Sequence, residues 1–244
     1  MRLTSIFISL LLALPLSVAW GETNPDPWEG FNRKMFSFNE AMDSYILRPT
    51  AVGYRKVTNE PIRSTVSNVF NNLKEVRTII NDLAQLKLRQ AGADTSRFVV
   101  NSTLGFFGFF DVASPLGLTR HNEDFGQTLG YWGVGSGPYL MLPFLGPSTV
   151  RDASGLGIEY SSGISYSKYF RNDLEGWAAV TFGGINMRSE LLDMESMLTG
   201  DKYTFIRSFY LQQRQYLIND GQIQDDFDDD FDDWDDDFDE FDDE

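Results

Sequence analysis

A regular stripe of apolar residues marks the first predicted helix. Asp26, Pro27 and Glu29 are typical of a helix start, because Asp caps, Pro suits the first turn and Glu completes a capping box. We expect this helix to end near Arg48, since Pro49 disfavours the helical conformation in the residue before it. The stripe is rich in aromatic residues and Met, so it fits either the core of a soluble domain or a helix lying in a lipid interface. Its members, three or four residues apart, are Trp28, Phe31, Met35, Phe38, Met42 and Tyr45.

Similar apolar spacing predicts further helices along the chain. One should begin at residues 59–61 (Asn-Glu-Pro) and run to Gly92, with Asp94 as a cap for the next segment. That segment, residues 98–112, is apolar on every side and too short to span a bilayer. It predicts either a buried helix or a segment that faces acyl chains, its glycines allowing close packing. Later helices are expected around residues 173–182, over residues 187–198, and from a cap at Asp201 to a stop at Gly221.

The stretch over residues 126–152 breaks this helical pattern. Gly133, Gly135 and Gly137 fall at every second position, and each Gly costs about 1 kcal/mol in a helix interior relative to Ala. Pro138 and Pro143 remove two further backbone donors. We therefore predict a loop or a short hairpin, and an unusually apolar one, since exposed Leu, Met and Phe are poorly solvated. Such a loop belongs beside a cavity, a partner or a membrane.

The two ends of the chain differ from its body. Residues 1–21 have the charged start, short apolar run and small residues of a secretory signal, with cleavage expected after Ala19 or Gly21. Residues 22–221 then form the folded domain, and residues 222–244 a disordered tail. Fifteen of the 36 acidic residues lie in that tail, so the net charge of −16 belongs to the tail and the body is nearly neutral. The tail's aromatic residues recur at helical spacing, so folding against a basic or cation-loaded surface is the alternative.

Few residues offer catalytic chemistry. The chain has no Cys, which excludes thiolate metal sites and Cys nucleophiles. His121 is the only histidine, and although Glu123 and Asp124 lie near it, a surface position is the expected one. The glycine series lacks the spacing of a dinucleotide fingerprint, and a nearly neutral body without a basic block argues against nucleic acid as a partner. We expect a non-enzymatic protein, with no cofactor and no metal, that binds or transports something apolar.

Several motifs in fixed order resemble the MlaA/VacJ family of outer-membrane phospholipid-transport proteins. Residues 126–152 resemble that family in Gly-x-Thr-Leu-Gly, in the glycine series followed by Pro-Tyr, in Leu-Pro-Phe and in the closing Arg-Asp. Residues 26–33 (Asp-Pro-Trp-Glu-Gly-Phe-Asn-Arg) resemble the family's opening motif. Further matches lie at residues 45–49, 101–105 and 111–113, and the resemblance covers about residues 26–221.

The resemblance implies a mainly all-α fold. In this family, amphipathic helices and a Gly/Pro-rich hairpin loop form a ring set in the inner leaflet of the outer membrane, often beside a porin trimer. Mislocalised phospholipids are implied to leave the outer leaflet through the ring and to pass to a periplasmic lipid-carrier protein, which maintains lipid asymmetry. The best-known members carry a lipidated Cys. This chain has none, so no acyl anchor is expected and attachment to the periplasmic face of the outer membrane should come from the folded protein.

The resemblance also assigns expected roles to residues. Gly133, Gly135 and Gly137 match the family's hairpin loop by the pore, where Gly permits positive φ and hinge motion. Arg151 and Asp152 are candidates for a polar lumen, although a structural salt bridge is the alternative interpretation. Expected on the apolar side of the pore loop are Tyr139, Leu142, Pro143 and Phe144, and expected to face lipid or the core are Trp28, Phe31, Met35, Phe38 and Met42.

Two other functions fit the residues. A soluble periplasmic shuttle that binds lipid would stay in the soluble fraction, whereas a membrane-embedded ring would not. A structural or adhesive envelope protein that binds cations through its tail would lose function when residues 225–244 are deleted. The transport hypothesis predicts only a mild effect of that deletion, because the tail lies outside the resemblance.

Overall fold

The protein is mainly helical, as predicted. The computed structural model describes residues 24–193 and 200–221, so the predicted signal over residues 1–21 and the acidic tail over residues 222–244 lie outside the described residues. The helices are α1 (Glu29–Met42), α2 (Arg48–Val57), α3 (Glu60–Ala84), α4 (Leu88–Thr103), α5 (Phe125–Tyr131), α6 (Val150–Ser161), α7 (Asp173–Glu190) and α8 (Lys202–Ile218). The strands are β1 (Tyr139–Leu142) and β2 (Gly146–Thr149), and the short 3-10 turns are Ser114–Leu116, Tyr166–Tyr169 and Leu191–Asp193. The helix expected over residues 187–198 is the end of α7 and the last of these turns, and its remainder lies outside the described residues.

Helices α1 and α2 follow one another through a π-helical turn, Asp43–Leu47. The prediction that the first helix ends near Arg48 is wrong. Pro49 lies in the first turn of α2, where its missing N–H group costs little. The expected cap is also wrong, because Trp28 occupies the N-cap position without a side-chain cap bond, while Asp26 is buried and bonded elsewhere.

Helices α3 and α4 pack along each other. Helix α3 begins as predicted, with the side chain of Asn59 accepting a hydrogen bond of 3.1 Å from the backbone N–H of Ile62. It ends before Leu86, whose φ of +61° breaks the helix. The expected stop at Gly92 is wrong, since Gly92 lies inside α4, and Asp94 is buried in α4 instead of capping it. A single interior Gly costs about 1 kcal/mol, which packing against α3 offsets.

Packing contacts connect the elements in a closed circuit. Helix α1 contacts β1, which pairs with β2 in an antiparallel hairpin, and β2 contacts α8. From α8 the circuit continues through α5, α3 and α7 to α2, which follows α1 in the chain. This circuit agrees with the ring of helices that the resemblance implies. None of the helices within residues 24–193 and 200–221 is both long enough and apolar enough to cross a bilayer.

Polar side chains occupy the interior of this protein. Among the described residues, buried polar and charged side chains far outnumber buried apolar ones, and they include Asp82 and Asn81 at 0% exposure and Arg97 at 2%. Water-soluble domains show the opposite preference. The buried apolar residues are Ala51, Ala91, Ala113, Tyr139, Met141 and Tyr203.

Large apolar side chains lie on the outside instead. The segment after α4 is the clearest case, because Phe106 and Phe107 adopt left-handed backbone conformations and are 60% and 73% exposed. The prediction of a buried helix over residues 98–112 is therefore wrong beyond Thr103, where the chain leaves the helix for tight turns. The alternative interpretation, a segment that faces an apolar medium, fits this exposure. Other exposed members of this outer surface include Tyr45, Leu104, Phe110, Leu174, Trp177, Phe205 and Phe209.

Candidate functional site

The loop between α5 and β1 contains the glycine series. Gly133 and Gly137 have positive φ values of +84° and +64°, a conformation that L-residues adopt only at a cost, whereas Gly135 has no positive φ. A Cβ atom built on Gly133 or Gly135 would meet nothing within 4 Å, so the loop borders open space at both positions. Backbone bonds fix the far end of the loop, since Arg151 N–H donates to the carbonyl of Ser136 at 3.1 Å. The loop is thus tied at its ends and open in its middle.

The hairpin that follows the loop is held from α1. Asn39 donates to the carbonyl oxygen of Leu142 at 2.9 Å and accepts a bond of 2.8 Å from Phe144 N–H. Phe144, at the turn, is 70% exposed with φ of +64°, and its ring meets the ring of Phe38 edge to face at 5.2 Å. Tyr139 is fully buried among other tyrosines, so the four residues expected on one apolar side do not share a surface.

A buried asparagine, Asn32, connects α1 to the start of β1. Its amide nitrogen donates to Asp26 at 2.7 Å and to the carbonyl of Tyr139 at 3.0 Å, and its oxygen accepts a bond of 2.9 Å from Met141 N–H. Asp26 also accepts from the Tyr203 hydroxyl. The contacts to Tyr139, Met141 and Tyr203 each span more than a hundred positions along the chain, and local sequence patterns carry no signal for them.

Two arginines and two aspartates form a buried network at the start of α6. Arg151 pairs with Asp152 at 3.0 Å, and both side chains are buried. The structure therefore brings the predicted pair together. Arg214 of α8 pairs with Asp152 at 2.9 Å and with both carboxylate oxygens of Asp124, at 2.6 and 2.9 Å.

The network keeps its carboxylates ionised. Burial alone would raise the pKa of Asp124, but hydrogen bonds and attraction from Arg214 lower that pKa well below its ordinary value. The pKa of Asp152 is lowered by the charges of Arg214 and Arg151, with a hydrogen bond of 2.8 Å from the Tyr210 hydroxyl adding to their effect, although burial opposes them. The same two carboxylates raise the pKa of Arg214. Asp124, Asp152 and Arg214 are thus charged at neutral pH. Sequence analysis missed Arg214, which only the packing of α8 against α5 and β2 brings to the site.

A pocket of about 410 Å³ opens beside this network. Arg151 and Arg214 line it, while Asp124 and Asp152 are absent from its lining and lie behind the two guanidinium groups. The pocket is amphipathic, since one part of its wall is polar and another apolar. The loop contributes Gly133, Val134, Gly135 and Ser136, and α8 contributes Leu211, Arg214, Gln215 and Ile218.

A second polar cluster lies between α3 and α4. Asp82 and Asp94 are fully buried, and burial together with the neighbouring Asp94 raises the pKa of Asp82 to about 8. The oxygens Asp82 Oδ2 and Asp94 Oδ1 have no hydrogen-bond partner in the described part of the chain, which fits a proton shared between the two carboxyl groups. His121 Nδ1 lies 2.8 Å from the other oxygen of Asp94 and is only half-buried. No group of residues within 24–193 and 200–221 has the donors to hold a metal ion.

The apolar stripe of α1 divides between two environments. Trp28, Phe31 and Phe38 are 45%, 51% and 39% exposed. Met35 and Met42 are half-buried, and Met35 packs against the cluster formed by Tyr139, Met141 and Tyr203. One part of the stripe therefore packs against the core, and the other part lies on the surface, where contact with lipid stays a prediction.

Comparison with known proteins gives a consistent result. The family model described as MlaA lipoprotein matches residues 24–217. The "Intermembrane phospholipid transport system lipoprotein MlaA" of Escherichia coli K12 is 34% identical over 232 residues, which cover 92% of this chain and 91% of that protein. The protein of the same name from Haemophilus influenzae is 31% identical and covers 91% of this chain and 94% of its own length.

A solved structure has the same fold. It belongs to a study of the structural basis for maintenance of bacterial outer membrane lipid asymmetry. Its chain superposes with a TM-score of 0.69 at 35% sequence identity, and the match covers 80% of this chain and 99% of that one. The resemblance predicted from the motifs is thereby confirmed, and this chain belongs to the MlaA lipoprotein family.

Proposed function

We propose that this protein is a non-enzymatic component of an intermembrane phospholipid transport pathway. It removes mislocalised phospholipids from the outer leaflet of the outer membrane and so maintains lipid asymmetry. The relatives that match nearly the whole chain carry the name of such a system, and the solved structure of the same fold concerns outer membrane lipid asymmetry.

The observation that carries the proposal is the inverted placement of side chains. Buried polar groups must be hydrogen-bonded to avoid a cost of several kcal/mol each, so an apolar interior would be the simpler route to stability. A polar interior is, however, what a lipid headgroup needs in order to cross an apolar layer. The exposed aromatic residues, such as Phe107 and Trp177, fit contact with acyl chains. Exposed apolar surface of this kind also argues against a soluble shuttle, which would have to hide it from water.

The transport step needs no energy source in this protein. A headgroup that moves along hydrogen-bonding side chains loses less solvation than one that crosses hydrocarbon, while its acyl chains stay on the apolar side. The free-energy barrier to headgroup passage therefore falls, while other components of the pathway set the direction of transport. We propose the glycine loop, through Gly133, Gly135 and Gly137, as the hinge beside that path. Arg151 and Asp152 are proposed for its polar wall.

Location and partners are proposed by resemblance. The protein would sit at the periplasmic face of the outer membrane beside a porin trimer and would deliver phospholipid to a periplasmic lipid-carrier protein. The outer apolar surface provides the area for such membrane attachment.

A complementation experiment tests the proposed function. The wild-type protein should restore detergent resistance and remove surface-exposed phospholipid in a strain that lacks its own homologue. The double variant Gly133→Val with Gly135→Val should accumulate in the membrane but fail to do so, because it stiffens the loop. The matched control is Gly157→Ala, in a helix with open space around it, which should complement fully. Full activity of the loop variant, or recovery of the wild type in the soluble fraction, would contradict the proposal.

A further inference from the structure

We infer that the pocket beside the glycine loop binds the phosphodiester group of a lipid headgroup through Arg151 and Arg214. The inference rests on the proposed function, which supplies phospholipid as the cargo, and adds the place and the atoms that recognise it. The pocket volume of about 410 Å³ is in the range of small-molecule sites.

The two arginines have hydrogen-bond donors to spare. A guanidinium group carries five N–H donors. Arg151 uses Nε and Nη2 toward Asp152 and Nη1 toward the carbonyl of Val134, at 3.0 to 3.3 Å. Its side chain is about nine-tenths buried, and because each terminal nitrogen carries two N–H groups and has one acceptor here, each can donate one further bond.

Arg214 is in a similar state. Its terminal nitrogens bind the carboxylates of Asp124 and Asp152, and its buried Nε has no acceptor among the described residues. A buried donor without an acceptor is destabilising, and a ligand oxygen that accepts from it removes that cost.

The negative charges of the network lie away from the pocket. Asp124 and Asp152 hold the two guanidinium groups from behind, and none of the carboxylates within residues 24–193 and 200–221 lines the pocket. Carboxylates in this position fix the planes of the arginines without occupying the face that meets the ligand. Planar, fixed guanidinium groups suit phosphate oxygens, which accept from them in pairs.

The pocket wall combines apolar and charged side chains. Val134, Leu211 and Ile218 form an apolar part of the wall close to the arginines. A phosphodiester joined to a glycerol and the first methylenes of its acyl chains presents the same succession of charged and apolar groups. Open space next to Gly135 leaves room for it.

Binding to the full-length protein in detergent tests the inference. The probes are a dihexanoyl phosphatidylglycerol, its water-soluble glycerophosphodiester headgroup, and inorganic phosphate, each titrated by calorimetry. Arg151→Gln should weaken lipid binding at least tenfold, since a hydrogen bond to a charged group contributes about 1.5–3 kcal/mol and 1.4 kcal/mol is a tenfold change. Arg151→Lys keeps the charge but loses the planar pair of N–H donors, so it should restore only part of the lost affinity.

A second variant leaves the ion network intact. Gly135→Leu adds a side chain at a residue that lines the pocket, without a positive φ to strain it, and should also weaken binding at least tenfold. The control is Arg55→Gln, far from the pocket on the surface, which should bind like the wild type.

The outcomes separate the sources of the anion. If the glycerophosphodiester competes with the lipid for the wild type but not for Arg151→Gln, the pocket recognises the phosphodiester group of a lipid. Equal competition by inorganic phosphate would overturn the lipid assignment and leave a site for free anions. Unchanged lipid binding in both Arg151→Gln and Gly135→Leu would refute the inference even if the protein complements the transport defect, so its failure is distinct from failure of the proposed function.

Discussion

Replacing Gly155 by Ala tests the packing of α5 against α6. A Cβ atom built on Gly155 lies 2.6 Å from the backbone nitrogen of Gly126 and 3.0 Å from its Cα atom. The shorter distance is roughly 0.8 Å below the 3.4 Å at which ordinary contacts begin. Because both atoms belong to the backbone of α5, no side chain can rotate away and the two helices must separate.

The expected magnitude follows from two opposing effects. Gly→Ala inside a helix gains up to about 1 kcal/mol from backbone propensity, whereas overpacking a tight contact costs about 1–3 kcal/mol. Gly157→Ala is the matched control, because Gly157 lies two residues later in α6 with nothing within 4 Å of its built Cβ atom. Both variants gain the same stabilisation from the higher helix propensity of Ala, but only Gly155→Ala is overpacked. Gly155→Ala should therefore be less stable than Gly157→Ala by about 1–3 kcal/mol.

Thermal unfolding of the two purified variants in the same detergent provides the measurement. For a chain of this size, each kcal/mol shifts the midpoint by about 2–4 °C. We also expect Gly155→Ala to weaken the network, because Arg214 bridges Asp124 before α5 and Asp152 in α6. Equal midpoints for Gly155→Ala and Gly157→Ala would refute the close contact between the helices.

Three further predictions follow from single positions. Gly133→Ala should lower the free energy of unfolding by about 1–2 kcal/mol, because φ is +84° there, while Gly135→Ala in the same loop should have little effect; equal values in urea unfolding would contradict this. Asn32→Ala should cost about 2–4 kcal/mol, since it leaves one oxygen of the buried Asp26 carboxylate and two backbone groups without a partner, and an unchanged denaturation midpoint would argue against that role. The raised pKa of Asp82 means that the folded state binds the extra proton, so wild-type stability relative to Asp82→Asn should fall as pH rises from about 4 to about 8. Parallel pH profiles of the two proteins would exclude a proton shared with Asp94.

Local features of the sequence predicted the helices well where capping and periodicity agree. Asn59 and Asp201 cap α3 and α8 as expected, because a cap acts on the next two or three residues only. Pro49 and Gly92 misled the prediction. Each disfavours a helix interior by a few kcal/mol or less. A π turn before Pro49 offsets that cost, and packing of α4 offsets it for Gly92.

The candidate site was only half visible in the sequence. The motif containing Arg151 and Asp152 predicted the pair, but Arg214 lies more than sixty residues away and joins it only through the fold. The sequence pattern also could not predict whether the apolar faces point into the protein or outward. Periodicity shows that a helix has an apolar side, as for Trp28 and Phe31, and gives the same signal whether that side meets protein or lipid.

The central claim is that the outer aromatic surface meets lipid while the pocket side meets water. Since the chain has no native Cys, single variants Phe107→Cys and Ser136→Cys can each carry one spin label. In bilayers, the label at 107 should be relaxed strongly by oxygen and weakly by a water-soluble nickel chelate, and the label at 136 should show the opposite order. A label at 107 that is as accessible to the nickel chelate as the label at 136 would contradict the account.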